Sequence, residues 1–349
     1  MNIVDRSFVQ AHAAVFEDFW NRQVGDSFFA LDYPAYGYQV HLTTNAREVL
    51  DAAQLSAARY ARSDALEGNP VIELKVLVVS AWEAKPVPAD LPARLQTFGT
   101  ENYLFQAATP WLQWFTALDT RFAYGLISRS LAAEPRILSR YLLDRATLNI
   151  LLREGVGQLH ATSLMRDDHA IIFIAPHGTG KSTTAFHLLN AGYRLMGDGI
   201  LFLRERNGQV ELMGYPVGEA KLTPEMQPLF PEWRGLGDEV TVHSVVKSIV
   251  NLRELAPSKI VEDSVFPKRL VLCLAERNGG KTQVERLSPE AALERVLPDT
   301  LHWDDVGAMV RSLEVVQRVI ARAACYRLAL GTDREELVNT IVRLAQMDG

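Results

Sequence analysis

Between an apolar run and a helix-forming run, the stretch AIIFIAPHGTGKSTTAFHLL aligns Ala175-Pro176-His177-Gly178-Thr179-Gly180-Lys181-Ser182 with the Walker-A pattern GxxxxGK[ST]. The chemistry such a loop can do is phosphate binding. Small residues let successive backbone N–H groups curl around phosphate oxygens, and the N-terminus of the following helix adds a favourable dipole. Lys181 would reach the β and γ phosphates of a nucleotide, and the Ser182 hydroxyl would sit on Mg²⁺. The expected nucleotide-binding set is therefore Gly178, Thr179, Gly180, Lys181, Ser182 and Thr183, with ATP and Mg²⁺ as the cofactors. Ala175 stands where the pattern has its first glycine. Pro176 pushes the residue before it toward extended backbone, so Ala175 is expected to end the strand, where a Cβ is tolerated.

A phosphate loop that transfers a phosphoryl group also needs a carboxylate. The apolar run RLVLCLAER ends in Glu276 and holds no aspartate, whereas AGYRLMGDG places Asp198 one helix downstream of the loop. A carboxylate there can accept the proton of an incoming hydroxyl and orient it for in-line attack. A buried turn carboxylate that caps backbone amides is the plainer alternative.

The run HATSLMRDDHAIIFIAPHGTGKSTTAFHLLNAGYRLMGDGILFL resembles the catalytic domain of the HPr kinase/phosphorylase family and its smaller relatives, which include kinases acting on a serine of lasso peptides. The matching parts are His160, HGTGKS and AGYRLMGDG. The similarity extends over about Gly157 to Ala345, with its specific motifs inside His160 to Leu203. The resemblance implies a P-loop kinase domain of HPr-kinase type with a mixed sheet. It implies Asp198 as general base and Lys181 on the phosphates. It also implies a serine hydroxyl of a small protein or peptide as acceptor. The family's second aspartate falls on Gly199. EWRGLG echoes a family element whose glutamate binds Mg²⁺, which nominates Glu232 as a metal ligand beside Ser182, with Glu205, Glu211 and Glu219 as competitors. His160 is a possible active-site residue or a satisfied core histidine. Lys247, Lys259, Lys268 and Arg269 are either phosphate or acceptor contacts or solvated surface. A kinase of a small-molecule hydroxyl, or a nucleotide-binding regulatory module without transfer, remains the alternative.

Around these residues the chain must build an α/β domain over 157–349, preceded by a smaller α+β domain over 1–156 that recognises the acceptor or mediates homo-oligomerisation. In the second region GQLHATSLM and AIIFIA flank the polar turn RDDH and read as neighbouring strands. Asn207-Gly208 and Asn278-Gly279-Gly280 signal hairpin turns. RLVLCLA reads as a buried strand and CYRLAL as another. A helix over 304–323 carries Val306, Met309, Val310, Leu313, Val316, Ile320 and Ala323 as its apolar stripe. DREELVNTIVRLA reads as a closing helix capped at Thr332 or Asp333. Asp304 or Asp305 in HWDDV reads as a helix cap rather than a metal ligand.

In the first region a helix follows a cap at Thr44 or Asn45, and Val71–Ala81 reads as a strand. The aromatic block PWLQWFTALDTRFAYG reads as packing rather than a ligand cage. RILSRYLLDRATLNILLREG reads as a helix with Leu138, Leu142, Ala146 and Ile150 on one face, ended by Gly155.

The chain has 349 residues, 48% of them apolar and 22% charged, the balance of a globular protein of about two domains. A formal charge of −6 argues against a general nucleic-acid or anionic-membrane binder. The two cysteines, Cys273 and Cys325, lie in apolar runs and read as small buried hydrophobes. The polar, charged N-terminal stretch and the lack of a spanning apolar run lead to the expectation of a cytoplasmic protein.

Overall fold

A computed structural model describes residues 20, 22, 28–82, 85–99, 102–242, 245–299 and 306–347. The chain is α/β, with mixed sheets, and divides into two compact units. The first comprises 1–58, 63–154 and 302–310; the second comprises 59–62, 155–301 and 311–349.

The first unit is built on seven strands: β1 (Phe29–Ala35), β2 (Tyr38–Thr44), β3 (Val71–Val79), β4 (Gln96–Gly99), β5 (Tyr103–Ala108), β6 (Leu112–Ala117) and β7 (Phe122–Ser128). They form one mixed sheet in the order β1-β2-β3-β7-β6-β5-β4, with β2, β3 and β7 parallel. The aromatic block folds as the β6–β7 hairpin. Its Phe115 ring lies 5.1 Å from Tyr124 and 5.6 Å from Tyr103, inside a buried cluster with Leu77, so it packs a core. The helix before Tyr60 is Glu48–Ala57 and starts after Arg47, not at Thr44 or Asn45. The apolar stripe Leu138, Leu142, Ala146 and Ile150 is buried as its spacing predicts. One wider turn at Ser139–Leu143 joins Pro135–Leu138 to Asp144–Arg153.

The second unit carries β8 (Gly157–Leu159), β9 (Thr162–Arg166), β10 (His169–Ile174), β11 (Arg194–Asp198), β12 (Ile200–Arg206), β13 (Gln209–Tyr215) and β14 (Glu219–Leu222). It continues with β15 (Asp238–Val242), β16 (Val245–Asn251), β17 (Arg269–Arg277), β18 (Gln283–Arg286) and β19 (Ala324–Leu330). Six strands form a mixed sheet in the order β11-β9-β10-β17-β19-β18, whose centre β10-β17-β19 is parallel. Two three-stranded sheets, β13-β12-β8 and β14-β16-β15, complete it.

The central strand β10 is apolar on both faces because both are covered. Ile171 and Phe173, with Ala175 just beyond the strand, join a core with Phe186 and Leu189 of the helix Lys181–Asn190. Ala170, Ile172 and Ile174 join the opposite core with Val316 and Ile320.

Three expectations about elements change. GQLHATSLM is not one strand: it breaks at His160-Ala161, and β8 and β9 enter different sheets. Asn278-Gly279-Gly280 does not close a hairpin, because β17 and β18 both pair with β19. The helix Val306–Arg322 leaves Val306 and Val310 exposed and buries Ala308, Ser312, Val315, Val316, Val319 and Ile320, so its buried stripe is rotated from the predicted one. Residues 302–305, with Asp304 and Asp305, lie outside those described. Asn207-Gly208 does turn β12 into β13, both residues at positive φ, and Asp333 caps the last helix by accepting from the Glu336 amide. Cys273 and Cys325 are buried, which pushes their thiols up to about 12 and about 11.

Candidate functional site

The sequence positions the loop by local means. β10 ends at Ile174, and Ala175, 4% exposed, continues the core packing without adopting positive φ. Alanine at this place therefore carries no backbone penalty. Gly178 and Gly180 do take positive φ, and Gly180, at +117°, is the turn from which the helix Lys181–Asn190 starts. A side chain at Gly180 would strain that turn. The Lys181 ammonium folds back across the loop, donating to the carbonyl oxygens of Ala175 and, at 3.4 Å, Pro176. Thr179 closes the loop by donating its hydroxyl to the Pro176 carbonyl at 2.8 Å. Thr183 follows Ser182 in the first helical turn.

Asp198 is the last residue of β11 and is 4% exposed. Its Oδ1 accepts from the Ser182 hydroxyl at 3.0 Å and from the Thr162 hydroxyl at 2.7 Å. Its Oδ2 accepts from the Lys221 backbone N–H at 3.2 Å. A carboxylate this buried needs such partners. They aim it at the start of the phosphate-loop helix.

His160 occupies the break between β8 and β9, not a strand interior, and its ring meets that of the loop residue His177 edge-on at 4.8 Å. Burial, then the positive charges of Lys181, His177 and Lys221, push its pKa down to about 4 against a smaller opposing pull from Asp198. His160 is thus a neutral imidazole at pH 7, able to donate and accept hydrogen bonds.

The structure brings together Lys181, Ser182, Asp198 and His160. It does not bring Glu232 to them. That residue, on the short turn Pro231–Trp233, contacts Asn190 Nδ2 at 3.4 Å. Asn190 ends the ten-residue helix that Lys181 begins, about 15 Å away along the axis. EWRGLG therefore supplies a packing residue, Trp233 against Phe186, and no ligand for Ser182. The competing glutamates pair with arginines: Glu205 with Arg322 at 3.1 Å, Glu211 with Arg204 at 2.6 Å, and Glu219 with Arg59 at 3.1 Å. Lys259 donates to the Leu189 carbonyl at 2.9 Å, Lys268 pairs with Asp168 at 2.7 Å, and Arg269 donates to the Leu344 carbonyl at 3.3 Å.

Sequence reasoning missed Thr162 and Lys221. Thr162 sits two residues after His160 and had no motif to mark it; Lys221 lies in a strand of another sheet. Among the described residues no three His, Cys, Asp or Glu side chains cluster as metal ligands. Mg²⁺ does not require such a cage, since it takes one or two protein oxygens together with phosphate oxygens and water. Ser182 Oγ and Asp198 Oδ1, 3.0 Å apart, are oxygen donors of that kind. No helix among the described residues is long and apolar enough to cross a membrane.

No family model and no curated protein matches this chain. Among solved structures it is similar to the HPr(Ser) kinase/phosphatase from Coxiella burnetii, at 12% identity and a TM-score of 0.28, over 54% of this chain and 95% of that chain.

Proposed function

We propose that the second unit is an ATP-dependent kinase that transfers the γ-phosphoryl group to a hydroxyl, that of a serine in a small protein or peptide. The observation that carries this reading is the Asp198–Ser182 contact of 3.0 Å at the mouth of the loop. It joins the buried carboxylate to the residue that follows the loop lysine. The amides from Gly178 to Ser182 and the Lys181 ammonium bind the phosphates, and their positive character offsets charge as the transferring group passes between oxygens. Ser182 and Asp198 would hold Mg²⁺, which supplies Lewis-acid neutralisation of the phosphate oxygens. Asp198 accepts the hydroxyl proton as the new O–P bond forms; the bond from the γ phosphorus to the bridging oxygen breaks, and ADP leaves with that electron pair. The first unit recognises the acceptor or mediates self-association.

Two other readings keep the loop. A small-molecule hydroxyl as acceptor uses the same residues. A non-catalytic nucleotide-binding module is favoured by the three hydrogen bonds that Asp198 accepts, which also describe a carboxylate with a purely structural task. Incubation of the wild-type chain and Asp198→Asn with γ-labelled ATP and cell extract separates them. Label entering protein or peptide, lost by about 10²–10⁴-fold in the variant while ATP binding persists, is the expected result. Label confined to small molecules moves the acceptor, and nucleotide binding with neither transfer nor hydrolysis in the wild type ends the kinase reading.

A further inference from the structure

Lys221 lies on β14, outside the loop and outside the six-stranded sheet, yet its two nitrogens bracket the end of β11. The backbone N–H donates to Asp198 Oδ2 at 3.2 Å and the ammonium donates to the Asp198 carbonyl at 3.3 Å. The next residue, Gly199, has a φ of +155°, and a Cβ built there would lie 3.1 Å from Lys221 Nζ. A side chain at the place where the resembled family carries its second aspartate would therefore be strained by the backbone conformation, and its Cβ would lie beside an ammonium.

Lys221 and Lys181 also act on one imidazole, since both depress His160. Lys181 opens the helix whose next residue, Ser182, donates to Asp198, and Lys221 reaches the same aspartate from a strand of another sheet.

We propose that Lys221 is a second phosphate-binding cation of this site, which holds the terminal phosphoryl group of a nucleoside triphosphate opposite Lys181. The inference rests on the nucleotide-binding reading above and adds to it a residue and a selectivity. An ammonium anchored on the Asp198 carbonyl brings a full positive charge to the oxygens of a terminal phosphate. It offers nothing comparable to a diphosphate whose end stops at Lys181. The site is therefore selective for triphosphate over diphosphate, and Lys221 supplies that selectivity without bound metal at Gly199.

Calorimetric titration of the full chain with MgATP and with MgADP tests this in the wild type, Lys221→Met and Lys221→Arg. The backbone bond to Asp198 Oδ2 does not depend on the side chain, whereas Lys221→Met also removes the ammonium's bond to the Asp198 carbonyl, which the donors of Lys221→Arg can restore. Lys221→Met should weaken ATP roughly 10–100-fold, the worth of a charge-assisted hydrogen bond, leave ADP little changed, and be largely rescued by Lys221→Arg. A variant-free arm uses acetic anhydride labelling read by mass spectrometry: MgATP should protect Lys221 where MgADP does not. Wild-type affinities in Lys221→Met, an equal loss for both nucleotides, or Lys221 labelled equally under ATP and ADP overturns the role of Lys221 while nucleotide binding stands. A wild-type chain that binds neither nucleotide overturns the nucleotide reading itself, and this inference with it.

Discussion

The two ends of the ten-residue helix Lys181–Asn190 lie in opposite chemical surroundings. At the N-terminal end, where the helix dipole is positive, Lys181, Ser182, Asp198 and His160 converge with the Lys221 ammonium. At the C-terminal end, where it is negative, Lys259 donates to the Leu189 carbonyl and to Asn190 Oδ1, and Glu232 accepts from Asn190. Both ends carry charge, but they use it differently. Lys259 adds a donor to a carbonyl of the last helical turn, the ordinary work of a cation at that end. At the other end two ammonium groups add to a dipole that is already positive, and the buried Asp198 carboxylate offsets part of that charge.

This contrast can be broken in three ways, in order of decreasing effect. Trp233 is buried in the core that also holds Phe230, its ring 6.0 Å from that of Phe186 on the helix, so Trp233→Ala should cost about 3–5 kcal/mol of folding free energy. Chemical denaturation measures the loss, and transfer per folded molecule should stay at the wild-type value; a selective loss of transfer would mean that this end belongs to the site.

The second test uses pH at the N-terminal end. The folded-state pKa of His160 is lowered to about 4 from about 6.5, so the unfolded chain takes up the proton first as pH falls. The His160 contribution to stability is complete above about pH 6.5 and is lost progressively down to about pH 4. Denaturation at pH 7 and pH 4.5 should show a smaller pH-dependent drop in His160→Gln than in the wild type. A phosphate anion bound at the loop favours the imidazolium, so MgATP should raise the His160 midpoint in an NMR titration; an unmoved midpoint would separate His160 from the phosphates.

The smallest effects belong to the charges at the C-terminal end. Lys259→Met removes a helix-end contact and should cost under about 1 kcal/mol, and Glu232→Gln should leave both stability and Mg²⁺ dependence unchanged. A shift in the Mg²⁺ concentration needed for transfer in Glu232→Gln would restore it as a ligand.

The loop was legible in the sequence because its geometry is local. A strand, two glycines, a lysine and a helix start follow one another within a few residues, and the Ala175 question was answered by the proline next to it. Asp198 was legible because one helix and one strand return the chain to the loop. The buried face of Leu138, Leu142, Ala146 and Ile150 followed from its four-residue spacing. The single-strand reading of GQLHATSLM misled, since an apolar neighbourhood of period two does not reveal that β8 and β9 leave for different sheets at His160. Glu232 misled more, since a short motif echo says nothing about which end of a helix it packs against. The stripe of the helix Val306–Arg322 was misjudged because apolar residues at both helical offsets allow more than one face, and only the packing surfaces select between them.

Sequence by itself determined the strand β10, the glycine turn and the helix that follows it, and nominated Lys181, Ser182 and Asp198, because contiguous backbone conformation is set by neighbours a few positions away. Tertiary structure decided which other charges join them. Thr162 and Lys221 reach Asp198 from two different sheets, and Glu205, Glu211 and Glu219 are matched with arginines elsewhere in the unit. The Arg204–Glu211 pair follows from the local β12–β13 hairpin, but the others depend on strand order and register across long stretches of chain, and no short window of residue types encodes that.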